Sequence, residues 1–136
     1  MMTERITTAG IALRDGRVLV ARRIEEGAIG GKWEFPGGKH RRGESPADTL
    51  CREWKEELGA EIEPGEEFFS FDFENKGVLY HLKAFYVTLL ADPLTLSVHS
   101  ETRWAGAEEL RALDFARSDR KISEYLLERN IVRDSL

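Results

Sequence analysis

The chain has 136 residues, 41% of them hydrophobic and 33% charged, with a formal net charge of −5. These values describe one domain spanning 1–136, large enough to fold without a disulfide or metal staple, and they exclude a disordered tail or Pro-rich architecture. No apolar run approaches the roughly 18 residues of a membrane span, and an acidic balance argues against a nucleic-acid polymer as partner. A small phosphorylated ligand stays compatible with that charge, because a metal ion can supply the missing positive charge. The opening residues carry no secretory pattern, and the single cysteine, Cys51, fits a reducing compartment. The expected location is the cytoplasm.

The first third predicts a hairpin. Ile11–Arg14 and Arg17–Arg22 flank Asp15-Gly16, a pair suited to a type I′ turn. A glycine-rich stretch from Glu25 to Gly43 follows, interrupted by Lys32-Trp33-Glu34-Phe35-Pro36. The clearest helix then runs from Pro46 to Leu58. Ser45 suits its N-cap, Asp48 can complete a variant capping box, and Gly59 suits its end. Ala47, Leu50, Cys51, Trp54 and Leu58 form its apolar face, so Cys51 reads as a small core residue. Phe69, Phe71 and Phe73 share one face of a strand. Asn75-Lys76-Gly77 can turn the chain into a long strand, Val78 to Leu90. A short strand is expected around Thr102–Trp104, a helical turn near Ala107–Leu110, and a last helix from Ser118 or Asp119. Together these elements predict an α/β fold, a mixed sheet covered by helices on its faces.

The helix carries an acidic face. Glu53, Glu56 and Glu57 stand at i, i+3 and i+4. Like charges at that spacing repel by about 0.2–0.5 kcal/mol per pair, and the helix C-terminus disfavours anions by about 0.3–1 kcal/mol. Two readings are open: a solvated face offset by Arg52 and Lys55, or a divalent cation that turns the repulsion into ligation. All-oxygen ligands suit Mg²⁺ or Mn²⁺ better than Zn²⁺.

The residues upstream favour ligation. Gly38, Glu44, Arg52, Glu53, Glu56, Glu57 and Gly59 fill the pattern G-x5-E-x7-R-E-U-x-E-E-x-G-U over 38–60, with Trp54 and Ala60 as mild departures at apolar positions. This resembles the Nudix box. Gly31-Lys32-Trp33-Glu34-Phe35-Pro36-Gly37-Gly38-Lys39 and Ala21-Arg22-Arg23 look like the MutT branch, the nucleoside triphosphate pyrophosphohydrolases. The resemblance is dense over 17–60 and loose after 61.

The resemblance implies an α/β/α sandwich and hydrolysis of a nucleoside triphosphate with Mg²⁺ or Mn²⁺, releasing a monophosphate and pyrophosphate. It makes Glu53, Glu56, Glu57 and the Gly37 carbonyl the metal ligands, with Glu53 as the first choice of base. Arg52 is expected to orient Glu53, and Glu44 to support the loop–helix junction or the metal shell. The branch carries a loop acid six residues before a tryptophan. Val98 stands there, so Glu101 is the acid left for that role, and His99 is either a phosphate or lid contact or a solvated loop residue. Arg23, Lys39 and the segment Glu34, Phe35, Pro36, Gly37, Gly38 are expected to meet the nucleotide. Phe35 and Trp33 can equally be core. Asp119 either reads the base or caps the last helix. An ionised Asp only accepts hydrogen bonds, which would favour a donor-rich base edge such as guanine or the cytosine amino group. The substrates implied are 8-oxo-dGTP or a cytidine triphosphate. A Nudix hydrolase of dinucleoside polyphosphates or nucleotide sugars, or a silent nucleotide-binding domain, are the alternatives. The expected assembly is a monomer or weak homodimer.

Overall fold

A computed structural model describes residues 2–92 and 94–134; Met1, Pro93, Ser135 and Leu136, which the single-domain expectation spans, lie outside the described residues. Among the described residues, six strands and three helices follow one another as β1 (Thr3–Arg14), β2 (Arg17–Arg23), β3 (Trp33–Glu34), α1 (Pro46–Leu58), β4 (Ile62–Asn75), β5 (Val78–Leu89), β6 (His99–Ala105), α2 (Ala107–Ala112) and α3 (Arg117–Glu128). The strands order as β3-β2-β1-β5-β4, with β6 paired to β2. β1 and β5 run parallel, and the other pairs are antiparallel. The sheet is mixed, as expected.

The Asp15-Gly16 turn forms with both residues at positive φ, 52° and 76°, which a type I′ turn demands. The hairpin it closes is shorter than the sequence suggests. Only Leu13↔Val18 and Arg14↔Arg17 pair, after which β2 leaves to pair with β6 and β1 continues against β5. Both strands bury residues on both faces, so this part of the sheet needs cover on either side of its plane, which a lone hairpin cannot supply.

Helices cover the two faces through two cores. On one face Leu50, Trp54 and Leu58 of α1 pack on Ala12, Leu19, Phe85 and Val87. On the other Ile122 and Leu126 of α3 and Leu110 of α2 pack on Ile11, Val18, Val20 and Ala84. Period-2 alternation in β1 divides them: Ala9 and Ile11 face α3, while Gly10 and Ala12 face α1. A Cβ at Gly10 would lie 2.6 Å from the Trp54 indole, so the bare glycine makes room for the large side chain of the box. Cys51 sits half-buried beside this core, its thiol pushed up by burial.

α1 begins and ends as expected. Ser45 Oγ accepts the Asp48 N–H at 3.1 Å, the Asp48 carboxylate accepts the Ser45 N–H at 3.3 Å, and Gly59 closes the helix at φ 61°. The last helix starts earlier than predicted. Ala116 is its N-cap, and Asp119 stands two residues inside it, buried. Asp119 therefore does not cap the helix.

Candidate active site

The loop after β3 is clamped onto β1. The Pro36 carbonyl accepts the Gly10 N–H and the Trp54 indole N–H, both at 2.8 Å. The Gly38 carbonyl accepts the Thr8 N–H at 2.9 Å and the Thr8 hydroxyl at 3.1 Å. A Cβ at Gly37 would fall 2.0 Å from the Thr8 carbonyl oxygen, and one at Gly38 would fall 2.5 Å from the Glu53 carboxyl carbon. Only glycine lets the loop run between the strand and the acidic helix. Pro36, expected beside the nucleotide, is instead buried, and its carbonyl is spent on the fold. That is a correction to the expected wall.

The three box glutamates differ in exposure: Glu56 is exposed, Glu53 half-buried and Glu57 buried. Arg52 holds the first two, through Nη1 to Glu53 at 2.7 Å and to Glu56 at 3.4 Å. The other edge of its guanidinium grips Glu44, through Nε at 2.6 Å and Nη2 at 3.0 Å. Glu44 also accepts the Arg41 N–H at 2.9 Å and the Thr49 hydroxyl at 3.0 Å. The Arg52 hydrogen bond, helped by these donors, holds the Glu44 carboxyl down at about 2. Glu44 thus buckles the loop to the helix, and its contacts are with these neighbours.

Glu57 behaves in the opposite way. Burial, reinforced by Glu34 and Glu53, pushes its carboxyl up to about 8. Its Oε1 is buried with no hydrogen-bond partner among the described residues, and Oε2 lies 3.5 Å from Arg23 Nη1. Glu57 shares this one arginine with Glu34, and with Glu53, Glu56 and the glycine backbone it offers hard oxygen donors. The residues fit a divalent cation.

Glu34 joins Glu57 here. Its Oε2 lies 3.4 Å from Arg23 and 2.8 Å from His99 Nε2. Contrary to the loop expectation, His99 opens β6 and its side chain is wholly buried. Glu101 is placed elsewhere. It pairs with Arg103 at 3.4 Å, outside the group that brings Glu34, Glu57 and His99 together. The register shift between Arg22 and Arg23 explains this, because it turns His99 inward while Glu101 sits opposite Arg22.

A cavity of about 400 Å³ opens beside these groups, lined by Arg23, Glu34, Phe35, Gly37, Gly38, Lys39 and Asp119 among others. Phe35 is 2% exposed and stacks on Phe115, so it forms the cavity floor as part of the core; Trp33 is likewise core. Asp119 Oδ1 accepts the Phe35 N–H at 2.9 Å. Burial, and then Glu34, push the Asp119 carboxyl up to about 8. The upward shift favours the protonated form, which offers a donor and an acceptor together where the ionised form expected from the sequence only accepts. Phe73 and Tyr80, which no motif marks as site residues, also line the cavity and stack at 5.2 Å. Their pairing across the Asn75-Lys76-Gly77 turn was the available signal.

A family model described as NUDIX domain matches residues 8–125. The chain belongs to the Nudix family. Among Nudix relatives, the CTP pyrophosphohydrolase of Escherichia coli (strain K12) is 35% identical over 119 residues, 88% of each chain. The putative 8-oxo-dGTP diphosphatase 2 of Mycobacterium tuberculosis (strain ATCC 25618 / H37Rv) is 35% identical over 122 residues, 88% of this chain and 85% of that one. Among solved structures, the E. coli ORF135 protein superposes with a TM-score of 0.80 at 32% identity, covering 93% of this chain and 91% of its own. The MutT protein from Methanosarcina mazei Go1 gives 0.79 at 26%, covering 94% and 95%. These neighbours share the α/β/α sandwich. No helix among the described residues is long and apolar enough to cross a membrane.

Proposed function

We propose that this Nudix domain hydrolyses a nucleoside triphosphate to a monophosphate and pyrophosphate. The observation that carries the reading is the join between the acidic helix and the cavity. Glu57 and Arg23 meet at 3.5 Å, and Arg23 also lines the space where Asp119 sits. Polyphosphate and base can thus be held at once. A Mg²⁺ or Mn²⁺ ion held by Glu53, Glu56, Glu57 and the Gly37 carbonyl would neutralise phosphate charge and acidify a water. Glu53, oriented by the Arg52 guanidinium at 2.7 Å, would take up that water's proton. Arg23 and Lys39 supply cations at the cavity wall.

The protonated Asp119 carboxyl can pair with a base edge offering one donor and one acceptor. Cytosine N4–H/N3 and guanine N1–H/O6 both do so. These match the substrates named for the two relatives, CTP and 8-oxo-dGTP. Such a hydrolase would act in the cytoplasm, as a monomer or weak homodimer. Pyrophosphate release from a nucleotide panel with Mg²⁺ is the test. Turnover of CTP or 8-oxo-dGTP above the other triphosphates is expected; turnover of dinucleoside polyphosphates or nucleotide sugars alone would overturn the reading.

A further inference from the structure

The corner where Glu34 meets Glu57 has a second ligand set, two of whose members, Glu34 and His99, lie outside the box pattern. Glu34, Glu57 and His99 each offer one ligand atom, and these atoms all lie within 4.8 Å of one another. Ligand atoms that share a first-row ion stand roughly 3–4 Å apart, from metal–ligand distances of about 2.1 Å. Glu34 Oε2 and His99 Nε2 already lie 2.8 Å apart, so the three can share an ion if the remaining separations close modestly.

An independent feature marks this corner as unfinished. His99 Nδ1 and Glu57 Oε1 are both buried and have no hydrogen-bond partner among the described residues. His99 is 4% exposed and Glu57 8%. Water outside cannot satisfy such atoms, and orphaned buried polar groups in a native fold need a cause. Arg23 does not supply it. Its contacts of 3.4 and 3.5 Å to Glu34 and Glu57 are longer than charge-assisted hydrogen bonds, so it neutralises without filling the ligand positions.

We propose that Glu34, Glu57 and His99 form a mixed nitrogen–oxygen site that takes a transition-metal ion in preference to Mg²⁺, beside the all-oxygen box site and sharing Glu57 with it. The imidazole makes the selection. Mg²⁺ keeps to oxygen ligands, whereas first-row transition ions also accept imidazole nitrogen, Mn²⁺ the most weakly of them and therefore the most demanding test. The inference extends the proposed enzyme by giving its metal centre a ligand from β6, where Val98 offers none.

Mn²⁺ alone is the probe. Pulsed electron paramagnetic resonance of the Mn²⁺-loaded, full-length protein should show coupling to an imidazole nitrogen. His99→Gln should abolish that coupling and weaken the Mn²⁺ equivalent that excess Mg²⁺ fails to displace by at least about tenfold. Mn²⁺ bound through oxygen only in the native chain overturns the inference and leaves the box site standing, a result that needs no folded variant. Nitrogen coupling that survives His99→Gln also overturns it, since another histidine, His40 or His81, would then be the ligand. Absence of any Mn²⁺ binding overturns both this inference and the proposed function.

Discussion

Two carboxylates one helix apart show what distinguishes an acid that builds the fold from one held for chemistry. Glu44 and Glu57 both belong to the box and both lie near an arginine. Glu44 receives Arg52, the Thr49 hydroxyl and the Arg41 N–H, and its carboxyl is held at about 2. Glu57 is buried beside Glu34 and Glu53, faces Arg23 at 3.5 Å, keeps one oxygen unpartnered, and is pushed up to about 8. Residue type and motif membership are the same. The environment decides the role, and the acid left short of partners is the one placed to receive a ligand.

The largest effect that bears on this contrast is expected at Glu53, which stands between the two regimes, tied to Arg52 yet adjacent to Glu57. Glu53→Gln should lower kcat by roughly 10²–10⁴-fold, the range general-base removal produces, with a thermal midpoint close to the native one. An unchanged kcat would transfer the base role elsewhere. Glu44→Gln should act the other way round, chiefly on stability. It leaves Arg52 with a weaker partner, so the midpoint falls at neutral pH. Because the Glu44 pKa is depressed, its contribution is present above its ordinary 4.5 and is lost as pH falls through about 2. Native and variant melting points should therefore converge on acidification over that window. A constant gap would detach Glu44 from the buckle.

The contrast also explains which parts of the molecule were legible in sequence. The cap, the glycine end and the apolar stripe of α1 are local features, and Ser45, Gly59 and Trp54 stand where periodicity puts them. The box acids were legible because they lie on one helix. His99 was not, because its inward turn depends on a register shift between β2 and β6, far apart in the chain. Glu101 was misplaced for the same reason. Asp119 was identified as a candidate, but its protonation depends on burial and on Glu34, which the linear sequence cannot display.

A smaller effect should separate burial from charge at Asp119. Its pKa is raised, so the stability it confers is present below its ordinary 3.8 and is lost as pH climbs to about 8. Asp119→Asn cannot ionise, and its amide oxygen can still accept the Phe35 N–H. The variant's melting point should gain on the native protein between those limits and then run parallel. The same variant tests base reading. At pH 7 its substrate ranking should match the native one, since an amide and a protonated carboxyl both give a donor and an acceptor. Above pH 8 native kcat/KM should fall about tenfold per unit relative to the variant. A native ranking that holds at alkaline pH would show that the proton on Asp119 plays no part in recognition.

The smallest effect is expected at His81, a fully partnered group outside the site that serves as a control for Glu44. On β5 it bridges Asp72 of β4 at 2.7 Å and Glu4 of β1 at 2.8 Å, all three partly or fully exposed. Asp72, and then Glu4, raise its pKa above the usual 6.5. A raised imidazole stabilises the fold below its unfolded pKa, and that contribution disappears as pH rises through the folded value. His81→Gln should therefore lower the melting point slightly at pH 5–6, leave it unchanged at alkaline pH, and lose the difference in high salt, because exposed pairs are screened. Catalysis should not respond at any pH. If salt leaves the acid-side difference intact, the clasp works through packing of the imidazole between strands, and partnering by charge would no longer account for what holds Glu44 and His81 alike.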